Sequence, residues 1–98
     1  MESIDRPLRI LVVDDDAADR MLIRRILRKA HLNLADITEV TYAKEAIATV
    51  ADNHYDCVFL DYRLPDLDGL QLIQQLRSQG FHQPLVVLTG QGDQEIAV

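Results

Sequence analysis

Short apolar runs that stop abruptly at polar residues are the feature that most constrains how this chain can fold. The run LRILVV at residues 8–13 is short, aliphatic and partly β-branched, which is typical of a strand buried on both faces of a parallel sheet. Comparable runs occupy residues 55–60 and 84–88. Each run is followed by side chains that carry a carboxylate or a hydroxyl: Asp14, Asp15 and Asp16, then Asp61, then Thr89.

The segments between these runs have helical spacing. Asp16 is placed to cap the first helix, and Asp68 with Gln71 forms a close relative of the capping box at the third. Strands that alternate with helices in this way predict right-handed βαβ units, and therefore a doubly wound α/β fold with a parallel sheet. The predicted helices cover residues 17 to about 31, 43 to about 52 and 68–80, and a further strand covers residues 37–40.

The first helix is predicted to have an apolar and a basic face. The apolar stripe, which we expect to face the core, consists of Leu22, Ile23, Ile26, Leu27 and Ala30. Half of the ten Lys and Arg residues lie on the same helix and indicate its solvated side: Arg20, Arg24, Arg25, Arg28 and Lys29. Together with the net charge of −6, this pattern argues against a nucleic-acid-binding surface in this segment.

The sequence contains no recognisable targeting or membrane segment. Its N-terminus carries acids and a proline before the first apolar run, which fits neither a signal peptide nor a transit peptide. No apolar stretch approaches the roughly 18 residues needed to span a bilayer. The single cysteine, Cys57, lies inside an apolar run, so no intramolecular disulfide can form. We expect a cytoplasmic protein without a membrane partner.

The acids at the strand ends are predicted to meet in space. The carboxyl ends of parallel strands lie at one edge of an open α/β sheet, where its functional crevice is found. If the first and third strands are neighbours, Asp14, Asp15 and Asp61 come within several ångströms of one another. Two carboxylates about 4 Å apart repel by roughly 4 kcal/mol at an effective dielectric constant of about 20. Either protonation or a hard divalent cation offsets this repulsion, and Mg²⁺ fits well because it binds carboxylate and phosphate oxygens.

Such a site is suited to phosphoryl chemistry. A carboxylate beside a divalent cation can attack phosphorus and become an aspartyl phosphate. The Thr89 hydroxyl would then donate a hydrogen bond to a phosphoryl oxygen. Because the modification replaces one negative charge by nearly two and adds three acceptor oxygens, it can act as a conformational switch.

Three motifs resemble, in order and spacing, those of a response-regulator receiver domain of two-component signalling: LVVDDD at 11–16, VFLDYRLPDLDG at 58–69 and VVLTG at 86–90. The resemblance implies a flavodoxin-like receiver fold over residues 8–98, after an N-terminal leader at residues 1–7. It also implies a sheet of strand order 2-1-3-4, and a phosphorylated switch rather than an enzyme.

The resemblance assigns roles to individual residues. By it, Asp61 is the phosphoacceptor and Thr89 is the switch hydroxyl. Mg²⁺ would be held by Asp14, Asp15, Asp61 and the backbone carbonyl of Arg63. The phosphoryl donor would be a phosphohistidine on a sensor histidine kinase or on a phosphotransfer protein.

Some features of the family have no counterpart in this sequence. The family has a fifth parallel strand and further helices, with a Lys at the end of the fifth strand that would fall beyond Val98. We therefore expect a receiver domain truncated at its C-terminus, with the fourth strand as an exposed apolar edge. Such an edge predicts a homodimer or a domain swap. Asp93 is placed to cap a fourth helix that begins shortly before the chain ends.

Two alternative functions stay open on the sequence alone. A receiver-like fold that is not phosphorylated would act as an interaction module, and the missing Lys favours this. The DxD pattern of haloacid-dehalogenase-type phosphatases is also present, with Asp14 as the nucleophile and Asp16 as the acid, although the loop PDLDG at 65–69 is then unexplained. Enzymatic turnover of a phosphate ester would support the phosphatase, whereas stoichiometric labelling would support the receiver domain.

Overall fold

A five-stranded sheet forms the centre of the protein. The computed structural model describes residues 7–88 and the backbone of residues 95–97. The strands are β1 (Leu8–Val13), β2 (Leu34–Val40), β3 (Cys57–Asp61), β4 (Leu85–Leu88) and β5 (Glu95–Ala97), and the helices are α1 (Ala17–Lys29), α2 (Ala43–Asp52) and α3 (Gly69–Ser78). The strand order is β2-β1-β3-β4-β5, and the first four run parallel, so the predicted order 2-1-3-4 is confirmed.

β1 is deeply buried, as its apolar sequence predicted. Leu11, Val12 and Val13 have no exposed surface. Because successive side chains of a strand point to opposite faces of the sheet, β1 contributes to two separate cores. Leu11 and Val13 join the larger core beneath α2 and α3, whereas Ile10 and Val12 join a smaller core beneath α1. Helices therefore cover both faces of the sheet at β1, which is the doubly wound arrangement.

The apolar stripe predicted for α1 lies only partly in the core. Leu27 is buried and Ile23 is half-buried in the smaller core. Leu22 and Ile26, in contrast, are 54% and 57% exposed, and Ala30 is exposed as well. The expectation that all these side chains face the core is therefore wrong. α1 packs against β1 and β2, and a helix meets a sheet along a narrow line of side chains one turn apart.

Two basic residues of α1 that were predicted to be solvated form ion pairs with β2 instead. Nε of Arg20 lies 3.1 Å from Oε1 of Glu39, and Arg24 pairs with Oε2 of the same carboxylate. The remaining basic residues of α1 are exposed, as predicted. Arg20, Arg24 and Glu39 are called the α1–β2 charge cluster below. The cluster fastens α1 to the outer strand of the sheet.

The N-terminal caps predicted for α1 and α3 are present. Oδ1 of Asp16 accepts a hydrogen bond from the Ala18 N–H at 2.8 Å. At α3, Oδ1 of Asp68 accepts from the Gln71 N–H at 2.8 Å, and the Gln71 side chain accepts from the Asp68 N–H at 3.1 Å, which completes a capping box. In the part of the chain that the structure describes, no helix combines the length and apolar character that crossing a membrane would need.

The C-terminal end differs from the prediction. β5 pairs antiparallel with β4, with Val87 opposite Ile96. The expectations of an unpaired β4 edge and of a helix at these residues are therefore wrong, which removes the surface on which the predicted homodimer or domain swap depended. A strand edge presents N–H and C=O groups that favour pairing, and a short connection suffices for an antiparallel neighbour. Asp93, the predicted helix cap, lies outside the described residues.

Candidate functional site

Three carboxylates meet where β1 and β3 end. The two strands are adjacent, with Val13 opposite Leu60, so Asp14, which follows β1, and Asp61, the last residue of β3, lie side by side. Carboxylate oxygens of Asp14, Asp15 and Asp61 all lie within 4.8 Å of one another. These three residues are called the acidic site below. The parallel arrangement of the strands brings together acids that are far apart in the sequence.

Asp14 is the buried member of the acidic site, with 3% of its surface exposed. Its Oδ1 accepts a hydrogen bond from the Asp16 N–H at 2.9 Å, and its own N–H donates to the Val40 carbonyl at 3.1 Å. Burial raises the pKa of Asp14 from 3.8 to about 6, the Asp16 N–H opposes the rise, and the charge of Asp61 adds to it. Asp14 therefore titrates near pH 6 when no cation is bound.

Asp61 is half-buried at the end of β3. The Arg63 N–H donates to Oδ1 of Asp61 at 3.3 Å. Burial raises the pKa of Asp61, the Arg63 N–H opposes the rise, and the charge of Asp15 adds to it. Burial and neighbouring negative charge thus act in the same direction on Asp14 and on Asp61, and both disfavour the ionised carboxylate.

The acidic site has no basic ion-pair partner among residues 7–88. Arg9, Arg20 and Arg24 form ion pairs with Asp36 and Glu39 instead. Nη1 of Arg20 donates to the backbone carbonyl of Asp14 at 2.6 Å. A set of oxygen donors with uncompensated negative charge suits a hard divalent cation such as Mg²⁺, which binds one or two carboxylates together with water. The residues present therefore fit this cation.

The loop at residues 62–68, called the β3–α3 loop below, folds back on its own base. The Gly69 N–H donates to the Tyr62 carbonyl at 2.7 Å, and Arg63 and Asp68 form an isolated antiparallel bridge. A Cβ atom at Gly69 would lie 2.9 Å from the Tyr62 Cα, which is closer than a side chain can approach a backbone atom. Glycine at this position therefore lets the loop close directly beside the acidic site.

The other predicted site residues lie beside the acidic site, at a helix cap or outside the described residues. Arg63, whose carbonyl was predicted as a metal ligand, lies beside the acidic site, because its N–H is bonded to Asp61. Asp16, the acid of the phosphatase alternative, uses its carboxylate to cap α1. Thr89, the predicted switch hydroxyl, lies outside the described residues.

Two polar residues near the site were not predicted from the sequence to be part of it. Arg20 donates to the Asp14 carbonyl, and both carboxylate oxygens of Asp66 accept hydrogen bonds, from the N–H groups of Ala43 and Lys44. Arg20 lies about one turn into the predicted first helix, and this position could have predicted a contact with the acids that precede the helix. No such signal connects Asp66 to a helix that begins 23 residues earlier in the chain.

A family profile and individual relatives agree on the class of protein. The profile described as "Response regulator receiver domain" matches residues 10–98. The chain is 45% identical over 83 residues to the response regulator MprA of Mycobacterium sp. (strain KMS), a match that covers 85% of this chain and 35% of MprA. It is 37% identical over 87 residues to the two-component response regulator PhoP of Pseudomonas aeruginosa, covering 88% and 37%. The chain thus spans little more than a third of these curated relatives.

Solved structures share the fold. The receiver domain of a Francisella response regulator has a TM-score of 0.75 and 29% identity, over 88% of this chain and 69% of that one. The receiver domain of a sensor histidine kinase from Pseudomonas aeruginosa PAO1 has a TM-score of 0.76 and 27% identity, over 88% and 70%. The latter structure has a magnesium ion coordinated in the active site cleft.

The sheet order and the acids at the ends of β1 and β3 define a receiver-type α/β domain. With the profile match over nearly its whole length, the chain belongs to the response regulator receiver domain family of two-component systems. This family membership replaces the haloacid-dehalogenase alternative. The residue predicted as the acid in that alternative, Asp16, uses its carboxylate to cap α1.

Proposed function

We propose that this receiver domain accepts a phosphoryl group on Asp61 in a Mg²⁺-dependent reaction and thereby acts as a conformational switch. The observation that supports this most is the acidic site, whose carboxylate oxygens lie within 4.8 Å of one another and have no Arg ion-pair partner in residues 7–88. Burial, together with the neighbouring negative charge, raises the pKa of Asp14 and of Asp61 and so costs folding free energy at neutral pH. A purely structural domain would gain nothing from that cost.

In this proposal, Mg²⁺ is held by Asp14, Asp15, Asp61 and the Arg63 carbonyl. When bound, the ion neutralises charge on the phosphoryl oxygens. Asp61 is the nucleophile by the resemblance of the motif VFLDYRLPDLDG, and it is half-exposed at the end of β3, whereas Asp14 is buried. The magnesium ion in the similar receiver domain from Pseudomonas aeruginosa supports the choice of cation.

The phosphoryl donor is a phosphohistidine on a sensor histidine kinase or on a phosphotransfer protein. A carboxylate oxygen of Asp61 forms a bond to phosphorus while the phosphorus–nitrogen bond breaks, and the histidine nitrogen takes a proton from solvent. The product adds charge and three acceptor oxygens at the end of β3. The Thr89 hydroxyl donates to one of them, which changes the conformation. The domain is thus a phosphoacceptor rather than a turnover enzyme, and we place it in the cytoplasm.

Mass spectrometry after incubation with Mg²⁺ and acetyl phosphate tests this function. We expect the parent chain to gain one phosphoryl group and Asp61→Asn to gain none. Asp52→Asn, which removes an exposed carboxylate at the end of α2, should be labelled like the parent. Chelation of Mg²⁺ should abolish labelling.

Three results would contradict the proposal. Labelling that survives in Asp61→Asn would place the phosphoryl group on another residue. A folded parent chain that is never labelled would favour the interaction module without phosphorylation. Continuous release of phosphate from a generic ester would instead indicate an enzyme.

A further inference from the structure

Asp66, in the β3–α3 loop, is hydrogen-bonded to a different element of the fold. Its Oδ1 accepts from the Ala43 N–H and its Oδ2 from the Lys44 N–H, both at 2.9 Å. These are the first two residues of α2. Two charge-assisted hydrogen bonds to one carboxylate determine its orientation as well as its distance. The β3–α3 loop is therefore attached to the start of α2.

A second carboxylate, that of Glu45, caps the same end of α2 from within the helix. Its Oε1 accepts from the N–H groups of Thr41 and Tyr42, both at 3.0 Å. Asp66 and Glu45 together satisfy N–H groups that have no acceptor inside the helix. They differ in origin, because Glu45 belongs to α2 and Asp66 belongs to the loop. The two carboxylates thus form a matched pair for comparison.

The Asp66 contact connects the two sides of the acidic site. On one side, β2 leads into α2, and the Val40 carbonyl at the end of β2 accepts from the Asp14 N–H at 3.1 Å. On the other side, the β3–α3 loop continues from Asp61 and contains Arg63, whose N–H donates to the Asp61 carboxylate at 3.3 Å. Asp66 joins these two sides through a contact between elements that are far apart in the sequence.

We infer that Asp66 is a positioning residue that holds the β3–α3 loop, and with it the Arg63 carbonyl, in the arrangement that binds Mg²⁺. This role depends on the Mg²⁺ site proposed above. Asp66 itself is not one of the three carboxylates that meet at the acidic site, and both of its carboxylate oxygens accept hydrogen bonds from α2. When a loop samples several conformations, its apparent affinity for a ligand falls with the population of the competent one. Loss of Asp66 should therefore weaken Mg²⁺ binding although no ligand is removed.

A comparison of Asp66→Ala with Glu45→Ala tests this role. Each variant removes one carboxylate that accepts two N–H groups, at the first two residues of α2 for Asp66 and at the two residues before α2 for Glu45, so both should lose a similar amount of stability. We expect Asp66→Ala to raise the dissociation constant for Mg²⁺, measured by titration calorimetry, by about fivefold. Glu45→Ala should stay close to the parent. Asp66→Asn keeps one acceptor oxygen and should lie between the two.

Amide hydrogen exchange in the absence of metal is an independent measurement. We expect the N–H groups of Arg63 and Gly69, which close the loop onto Asp61 and Tyr62, to exchange about fivefold faster in Asp66→Ala. In Glu45→Ala they should exchange at the parental rate. If Asp66 only stabilised α2, these N–H groups would exchange at the same rate in Asp66→Ala as in Glu45→Ala.

Equal Mg²⁺ affinity and equal exchange in Asp66→Ala and Glu45→Ala would overturn the role of Asp66. If Asp66→Ala does not fold, Asp66→Asn replaces it in both measurements. A parent chain that binds no Mg²⁺ would overturn the proposed function instead. The exchange comparison would then still decide whether Asp66 holds the loop.

Discussion

The acidic site and the α1–β2 charge cluster lie on neighbouring strands and handle charge in opposite ways. In the cluster, the Glu39 carboxylate is shared by Arg20 and Arg24, so the negative charge on the strand is compensated by the helix. In the acidic site, three carboxylates lie within 4.8 Å of one another and no Arg pairs with them in residues 7–88. Negative charge is thus paired with Arg in the α1–β2 charge cluster, which holds α1 to the sheet. In the acidic site, where in our proposal a cation and a phosphoryl group bind, it has no Arg partner within residues 7–88.

Arg20 touches both regions and shows how they are kept apart. Its Nε pairs with Glu39, and its Nη1 donates to the backbone carbonyl of Asp14 at 2.6 Å. The Asp14 carboxylate itself accepts from the Asp16 N–H. Arg20 therefore supports the backbone at the acidic site while its ion pair is made on β2. The carboxylates remain available to a ligand.

The largest effect that tests this contrast is expected for Asp14→Asn. Because the pKa of Asp14 is raised from 3.8 to about 6, the stability that its protonated form contributes is present below pH 3.8 and is lost as the pH rises through 6. Asn cannot ionise, so the variant should exceed the parent by about 2 kcal/mol in free energy of unfolding at pH 8 without divalent cations, and by little at acidic pH. Urea unfolding across this pH range measures the difference.

Asp15→Asn is the matched control, because Asp15 is exposed in the same site. It should change the free energy of unfolding by much less. If Asp14→Asn were no more stable than the parent at pH 8, ionisation of the buried carboxylate would not destabilise the fold. The two regions would then not differ in the way described.

Addition of Mg²⁺ should offset the loss of folding free energy at the acidic site. It should not change the contribution of the charge cluster to stability. At a free concentration ten times the dissociation constant, binding raises the free energy of unfolding by about 1.4 kcal/mol. We expect this gain in the parent and a much smaller one in Asp61→Asn. NaCl of equal ionic strength is the control. An equal gain in Asp61→Asn would locate the cation elsewhere.

The smallest effect is expected in the charge cluster. Glu39→Gln leaves Arg20 and Arg24 without their shared carboxylate and should lower the free energy of unfolding by about 1 kcal/mol, since the pair is partly exposed and screened. The loss should shrink in about 1 M NaCl. Asp36→Asn, which breaks the more exposed pair with Arg9 at 3.5 Å, should cost less. No loss in Glu39→Gln would show that the cluster does not stabilise the fold.

The parts of the structure that followed from sequence are those with local causes. β1 was predicted at residues 8–13 and α2 at residues 43 to 52, and both are found there. Asp16 and Asp68 were predicted as caps, and each bonds an N–H within three residues of itself. Propensity, burial pattern and capping act over a few residues, so the sequence around each element is enough to predict them.

The parts that did not follow depend on which elements become neighbours. Leu22 and Ile26 match Ile23 and Leu27 in hydrophobicity, yet only the latter two lie against the sheet. β5 pairs with β4 where a helix was expected. A helical pattern defines an apolar face, but the width of that face in contact with the core is set by the surface on which the helix packs.

The carboxylates at the ends of the buried strands could be predicted from the amino-acid sequence, because strand ends and polar residues can be recognised from their immediate neighbours. Packing of the elements, in contrast, brings Asp66 to the start of α2 and lets two Arg side chains of α1 share Glu39. Such contacts join residues about 15 to 23 positions apart. They exist only once the sheet has formed and its helices have packed on it, since hydrogen bonds and ion pairs act over a few ångströms.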